Sequence, residues 1–457
     1  MKHGPKFLAR RATAAPALAA AAVVLALSAT IAQRGASPTP SPLVQKRFLV
    51  SKFPDKPSVP PAFSIPIDPL GYTPPGAIYL GARYTLASLD FLGEDRLLFT
   101  FRVPGLLHRD TANGEDSDER QIRAIVLAVP QGTVMAEASW TLHDRTRYLW
   151  MLNGGHFLLR DRNEIREGDA TLTLRPLLDF PGSILSLQFD PAQQLLVTNS
   201  REPAAAQSKP APADHFSLVP DPSTASATVT TDEDSDVPAN VPPELVVRIL
   251  RRDTGEVLLV SRVRSAVHLP INSTGYVEDL RGQSSGWLLN FNYFTGGSKI
   301  LGTIDSTCAP DDEFLSEHEI LVTGCGSTGE SKLFAMTTDG KTLWASQAPS
   351  TEVWPHLTVA PNGLRLAWAT LDIGHSVDSF APMDSVDVKE QSVTIFDAAT
   401  GDIALVSPLS PILDSGGNVA ISPSGRRVAI LNDGAIQVFD LPAPPPLPTP
   451  GTPGPHK

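Results

Sequence analysis

The residues of this chain that could do chemistry are few and scattered. GQSSG, Gly282 to Gly286, has the spacing of a nucleophile elbow, with Ser284 as the would-be nucleophile. An elbow needs a strand before it and a helix after it, so that the serine stands exposed on a strained turn. Here WLLNFNYF follows, a strand-like run, and the reading is a polar turn between strands. GCGSTG, Gly324 to Gly329, has G-x-G-x-x-G spacing, but dinucleotide chemistry depends on a following helix whose N-terminal amides hold a pyrophosphate. SKLFAM, another strand-like run, follows instead, which makes the motif a hairpin loop. Asp232, Asp234 and Asp236 have the D-x-D-x-D spacing of a calcium loop without its glycine and closing glutamate. They read as solvated acidic linker.

None of the ten histidines falls in H-E-x-x-H or another metal pattern, and His318 beside Glu319 lies in a turn between strands. The two cysteines, Cys308 and Cys325, form neither a C-x-x-C pair nor a zinc-ligand cluster with histidine. The sequence therefore assigns no catalytic residue, metal ligand or cofactor. Its net charge of −12 argues against a protein that holds nucleic acid by releasing counterions from phosphates.

The N-terminus carries the strongest targeting signal. Lys2, Lys6, Arg10 and Arg11 precede an Ala/Val/Leu run from Ala12 to Ala32 that ends in small residues, the order of a Sec-type signal peptide cut after Ala32. Such a run is also long enough for an uncleaved anchor, although Pro16 and its alanine-rich core favour cleavage. No later segment is apolar for long enough to cross a membrane, so the expected location is periplasmic or extracellular. From Gln33 to Pro75 the composition is that of a Pro-rich linker, and 442–457 is a second Pro-rich stretch, expected to be a disordered tail.

Between them, from Gly76 to Leu441, one pattern recurs seven times: a short alternating strand, a tight turn with Pro, Asn, Asp or Gly, and a more continuously apolar strand. The clearest copies are Val419 to Leu431, Leu357 to Ala369 and Leu185 to Thr198. The others begin at Leu89, Leu149 and Glu313 and lie around Trp287 to Phe294. Third and fourth strands flank turns such as DTGE (Asp253 to Glu256), TDGK (Thr338 to Lys341) and ATGD (Ala399 to Asp402), which supply the positive φ that hairpins need. Three insertions interrupt the pattern, Val103 to Gln121, Ser200 to Pro243 and Asp372 to Glu390; without them 284 residues remain, about 41 for each of seven units. That is the length of a propeller blade.

The copies SPSGRRVAILNDGAIQVFDL and APNGLRLAWA resemble WD40 and YVTN-type propeller repeats, and LFAMTTDGKTLWAS, Leu333 to Ser346, resembles a quinoprotein-type blade. The resemblance implies an all-β, seven-bladed β-propeller of four-stranded antiparallel blades. An open array or another blade number is the alternative. The last blade has too few strands of its own, and Ala77 to Leu80 is expected to close the ring.

Placed on this architecture, Trp354 and His356 stand just before a blade's first strand, at the rim of the central channel, as candidate ligand-binding residues. Cys308, in the connection leading into one blade, and Cys325, at the end of that blade's second strand, point to the same face and are expected to form a disulfide. All three insertions join second to third strands and gather on that face with 17 acidic and 5 basic residues, among them Asp116, Asp118, Asp232, Asp234, Asp236, Asp378 and Asp384. Such a surface would steer a protein, a polycation or calcium. The function expected is a binding or interaction module. The alternative is a propeller enzyme of lactonase or quinoprotein kind, with a channel-bound metal or cofactor.

Overall fold

The computed structural model describes residues 59–75, 84–104, 119–202, 244–282, 286–373, 387–413 and 415–447. They form a seven-bladed β-propeller. Blade 1 comprises Ala87–Gly93, Arg96–Arg102, Arg120–Ala128 and Val134–Leu142; blade 2, Leu149–Leu152, His156–Asp161, Glu164–Gly168 and Arg175–Asp179; blade 3, Ser183–Phe189, Leu195–Glu202, Glu244–Arg251 and Val257–Val263. Blade 5 comprises Asp311–Phe314, Glu319–Cys325, Ser331–Thr337 and Thr342–Ala348; blade 6, Glu352–Val359, Arg365–Asp372, Glu390–Asp397 and Ile403–Leu409. Each of these five sheets is an antiparallel meander in chain order, first strand innermost. The one helical element that lies wholly within the described residues is a 3-10 turn, Asp68–Leu70.

Blade 4 has three regular strands, Gly275–Arg281, Trp287–Tyr293 and Ser298–Ile304. Its innermost position is held by an irregular segment instead. Ile271 bridges to Tyr276, the Val277 N–H donates to Pro270 O at 2.8 Å, and the Asn199 side chain grips Val267 from blade 3 through both its backbone groups. Proline in the segment removes a ladder donor, and this accounts for its irregularity. Trp287 to Phe294 is consequently the third strand of its blade, not a first-to-second-strand copy.

Blade 7 closes the ring. Its first three strands are Val419–Ile421, Arg427–Asn432 and Ala435–Asp440, and the fourth is Phe63–Pro66, from the other end of the chain. This corrects the expectation of closure by Ala77 to Leu80, which lie outside the described residues. The closing strand falls within the presumed linker because its prolines mask the alternation of FSIP. Pro66 is harmless there, since an outer strand has no further neighbour to donate to. Likewise the C-terminal stretch is not loose from its start: Pro442 O accepts from Arg365 at 2.9 Å, and Leu447 packs against the cluster between blades 5 and 6.

Seven apolar clusters lie at the seven seams, each drawn from two adjoining blades. The closing seam joins Ile65, Ile67 and Tyr72 to Leu89, Phe99 and Val438. At the blade 5–6 seam Trp344 stacks on Phe396, with ring centroids 6.1 Å apart, and its indole N–H donates to Ala398 O at 2.6 Å. Gly401, in the ATGD turn at φ 72°, lies directly over that indole, so a side chain there would collide with the ring as well as strain the backbone. Arg365, 1% exposed, ties blade 6 to blade 7 by donating to Asp397 at 2.8 Å and to Gly425 O at 2.8 Å.

Closure through the N-terminal strand gives a direct test. Ile65→Ala removes a buried side chain from the closing seam and should lower unfolding stability by about 3 kcal/mol. Ser64→Ala, at the neighbouring exposed position, should change it by less than about 0.5 kcal/mol. Urea unfolding followed by tryptophan fluorescence measures both; equal effects would show that the strand does not close the ring.

Candidate functional site

Two regions of the disc concentrate functional groups: the face from which the insertions leave, and the central channel.

On the face, the strand ends are as expected. The three insertions connect second to third strands in blades 1, 3 and 6, and in an antiparallel meander these connections leave on the same side as the crossings between blades. Between the strand ends they hold fourteen acidic and three basic residues. Glu202 is not part of that excess, because it ends a strand and pairs with Arg248 at 2.5 Å. Asp116, Asp118, Asp232, Asp234, Asp236, Asp378 and Asp384 all lie outside the described residues. Cys308 and Cys325 form a disulfide, their Cα atoms 5.4 Å apart, which joins the blade 4–5 crossing to the second strand of blade 5 on this face. GCGSTG is the hairpin loop expected of it: the Gly326 N–H donates to Glu330 O at 2.6 Å and a strand follows. GQSSG joins two strands of blade 4 with no helix after it; Ser284 itself lies outside the described residues.

In the channel, a cavity of about 130 Å³ is walled by the inner strands of blades 1, 5, 6 and 7 and the start of blade 2. His356 lines it, its ring packed over Gly416. Trp354 shares the same inner strand.

The charged groups of the cavity, Asp90, Arg147 and Glu313, were missed in the sequence. The alternation of ASLDFLG buries Leu89 and Phe91 in the closing seam and leaves Ser88 and Asp90 at the cavity. The Ser88 hydroxyl donates to Asp90 at 2.5 Å. Arg147 donates from Nε to Leu149 O at 3.2 Å and lies 5.2 Å over the Trp150 ring, a favourable cation–π placement. Enclosure by protein raises the Asp90 and Glu313 carboxyls above the usual carboxylate range, partly offset by Arg147, and holds the Arg147 guanidinium below its usual value.

Beside this cavity two further carboxyls meet at the blade 4–5 seam. Asp312, 2% exposed, and Asp279 lie within hydrogen-bonding reach of each other. Apart from this mutual contact, Asp312 Oδ2 and Asp279 Oδ1 have no partner. Glu278 and Asp311 add negative charge, while His268 bonds the Asp312 carbonyl at 2.5 Å and approaches Asp311 at 3.2 Å. Burial raises Asp279 to about 7 and Asp312 well above its usual value, as expected when two carboxyls share a dry site and cannot both ionise. Among the described residues no three of His, Cys, Asp and Glu converge as metal ligands would.

No protein-family profile matches the chain, and no curated sequence matches it. Among solved structures it is similar to acylaminoacyl peptidase from Pyrococcus horikoshii at 10% identity and TM-score 0.44, over 79% of this chain and 52% of that one. It is also similar to the β-propeller domain of the Trilobed protease from Pyrococcus furiosus at 12% identity and TM-score 0.40, over 76% and 91%. The WD40 β-propeller domain of Doa1 is similar at 11% identity and TM-score 0.38, over 78% and 93%. This chain spans about half the length of the peptidase. These are likenesses of fold.

The carboxyl pair makes stability fall with pH. Between the ordinary Asp value and about 7 the folded state keeps protons that the unfolded chain has released, so stability declines as pH rises through that window, by on the order of 2–4 kcal/mol. Asp279→Asn gives Asp312 a neutral amide neighbour in place of a second carboxyl. Its melting temperature should exceed the parent's by a few degrees at pH 8 and match it at pH 4. Parallel melting curves across the range would show that the two carboxyls do not share a proton.

Proposed function

We propose that this chain is an exported interaction module: a rigid propeller disc whose blades 1, 3 and 6 present acidic loops on one face to a basic protein or other polycation. The observation that carries the reading is that all three long insertions spring from second-to-third-strand ends, with an acidic excess between their roots. Negative potential gathered on one side of a disc raises the encounter rate with cations, strongly at low salt. The disulfide supports export, because such bonds persist in oxidising compartments, and it anchors the same face. Among the described residues no helix is long and apolar enough to cross a membrane. The charged and small-residue order of the first 32 residues supports Sec-type export to the periplasm or medium with cleavage after Ala32.

Shortening all three insertions to brief Gly/Ser links while keeping every strand separates the loops from the disc. The trimmed protein should melt within a few degrees of the parent. On a surface of poly-L-lysine it should bind at least about tenfold more weakly at about 10 mM salt, the difference shrinking at about 150 mM. Equal binding by both proteins at low salt would show that the acidic face is not the interacting one.

A further inference from the structure

Three arginines elsewhere in this molecule close onto carboxylates. Arg160 meets Asp144 at 2.9 Å, Arg248 meets Glu202 at 2.5 Å, and Arg365 meets Asp397 at 2.8 Å. Arg147 does not. It faces Asp90 and Glu313 across the channel cavity and interacts with both electrostatically, yet among the described residues no nitrogen–oxygen contact within 4.0 Å joins it to any carboxylate.

Oppositely charged long side chains that face one another across a lumen attract and are free to close into contact. Here the protein's own bonds keep them apart. The Leu149 carbonyl and the Trp150 ring hold the guanidinium, and Ser88 holds Asp90. Between them lies the cavity of about 130 Å³, about four waters' share of liquid volume. It suits a ligand well below the drug-sized range. The remaining lining combines the hydroxyls of Ser88, Thr358 and Ser415 and the His356 ring with apolar residues such as Leu357 and Val359.

A cation and two anions, held out of contact with one another around a small cavity, are complementary to a ligand that carries both charges. We propose that this cavity binds a small zwitterion of the α-amino-acid type, with its carboxylate on Arg147 and its ammonium between Asp90 and Glu313. Arg147 suits the carboxylate because its free terminal nitrogens form a planar donor fork. A lone ammonium would leave the guanidinium unmatched. A lone carboxylate would add a third negative charge to a site that already holds two. The inference is independent of the acidic loops, because every residue it uses lies outside the three insertions.

Calorimetric titration of the full chain tests it with three probes. L-serine carries both charges; ethanolamine keeps its ammonium and hydroxyl, and glycerate keeps its carboxylate and hydroxyl. Serine should bind at least about tenfold more tightly than either, the loss expected from one charge-assisted contact. Arg147→Met should reduce serine to the level of ethanolamine, and Glu313→Gln should weaken serine and narrow its advantage over glycerate. Circular dichroism checks that both variants fold. If Arg147→Met does not, Glu313→Gln carries the test, because that side chain is exposed to the lumen. Ethanolamine binding as tightly as serine would make the site one for simple cations and overturn the proposal. So would serine affinity unchanged in a folded variant, or no binding of serine, glycine or alanine.

Discussion

The ring depends on one pairing. Phe63–Pro66 lies antiparallel on Ala435–Asp440, with Ile65 opposite Ile436 and Phe63 opposite Val438. Each seam cluster needs both of its blades, so a propeller that failed to close would expose two apolar blade faces at once, together with the free edge of the last strand. Because the final blade is built from both ends of the folded region, neither end can leave without opening that seam. The buried Arg365 holds the same blade from its other side, reaching Gly425 and Pro442 from blade 6.

Seam packing also frees the channel to carry charge. In an inner strand successive side chains face opposite ways, so the residues that fill seams alternate with residues that do not. Leu89 and Phe91 pack while Asp90 does not. In blade 5 the alternation runs Asp312, Glu313, Phe314, with Phe314 in the seam and Glu313 at the cavity. Asp312 goes the same way as Phe314, into the seam. That places it beside Asp279, where burial holds both carboxyls above their usual range, whereas its neighbour Glu313 stands in the lumen. Two adjacent acids thus acquire different chemistry from the period of the strand alone.

The blades were legible because their turns obey strict local chemistry. DTGE, TDGK and ATGD each place a glycine at positive φ, at Gly255, Gly340 and Gly401, and each joins third to fourth strands as read. Six of the seven strand pairs stood where their alternation put them. The failures have physical causes. The closing strand is four residues long and lies among prolines, so composition outweighed its two inward positions. The inner segment of blade 4 is held by side-chain and single backbone bonds rather than a ladder, so it has no strand pattern to find. Of the channel residues, His356 was marked by its place ahead of a blade, but Asp90, Arg147 and Glu313 come from three separate blades. Nothing in a linear pattern says that they share a cavity.

The insertions show how this scaffold tolerates chain that it does not need. Loop-closure cost grows only by about 0.6 kcal/mol for each doubling of loop length, so even the connection from Glu202 to Glu244 adds little if its root is firm. The roots are firm. Leu195–Glu202 pairs with Glu244–Arg251 in unbroken register to the last residue, and Arg248 grips Glu202 there with two bonds, at 2.5 and 3.0 Å. In blade 1 the Val103 N–H donates to Gln121 O at 2.8 Å, and in blade 6 the Lys389 N–H donates to Asp372 O at 2.8 Å. Each root is thus clamped by the strands that flank it. Acidic, low-complexity sequence can then accumulate between the roots without breaking the ladders on either side.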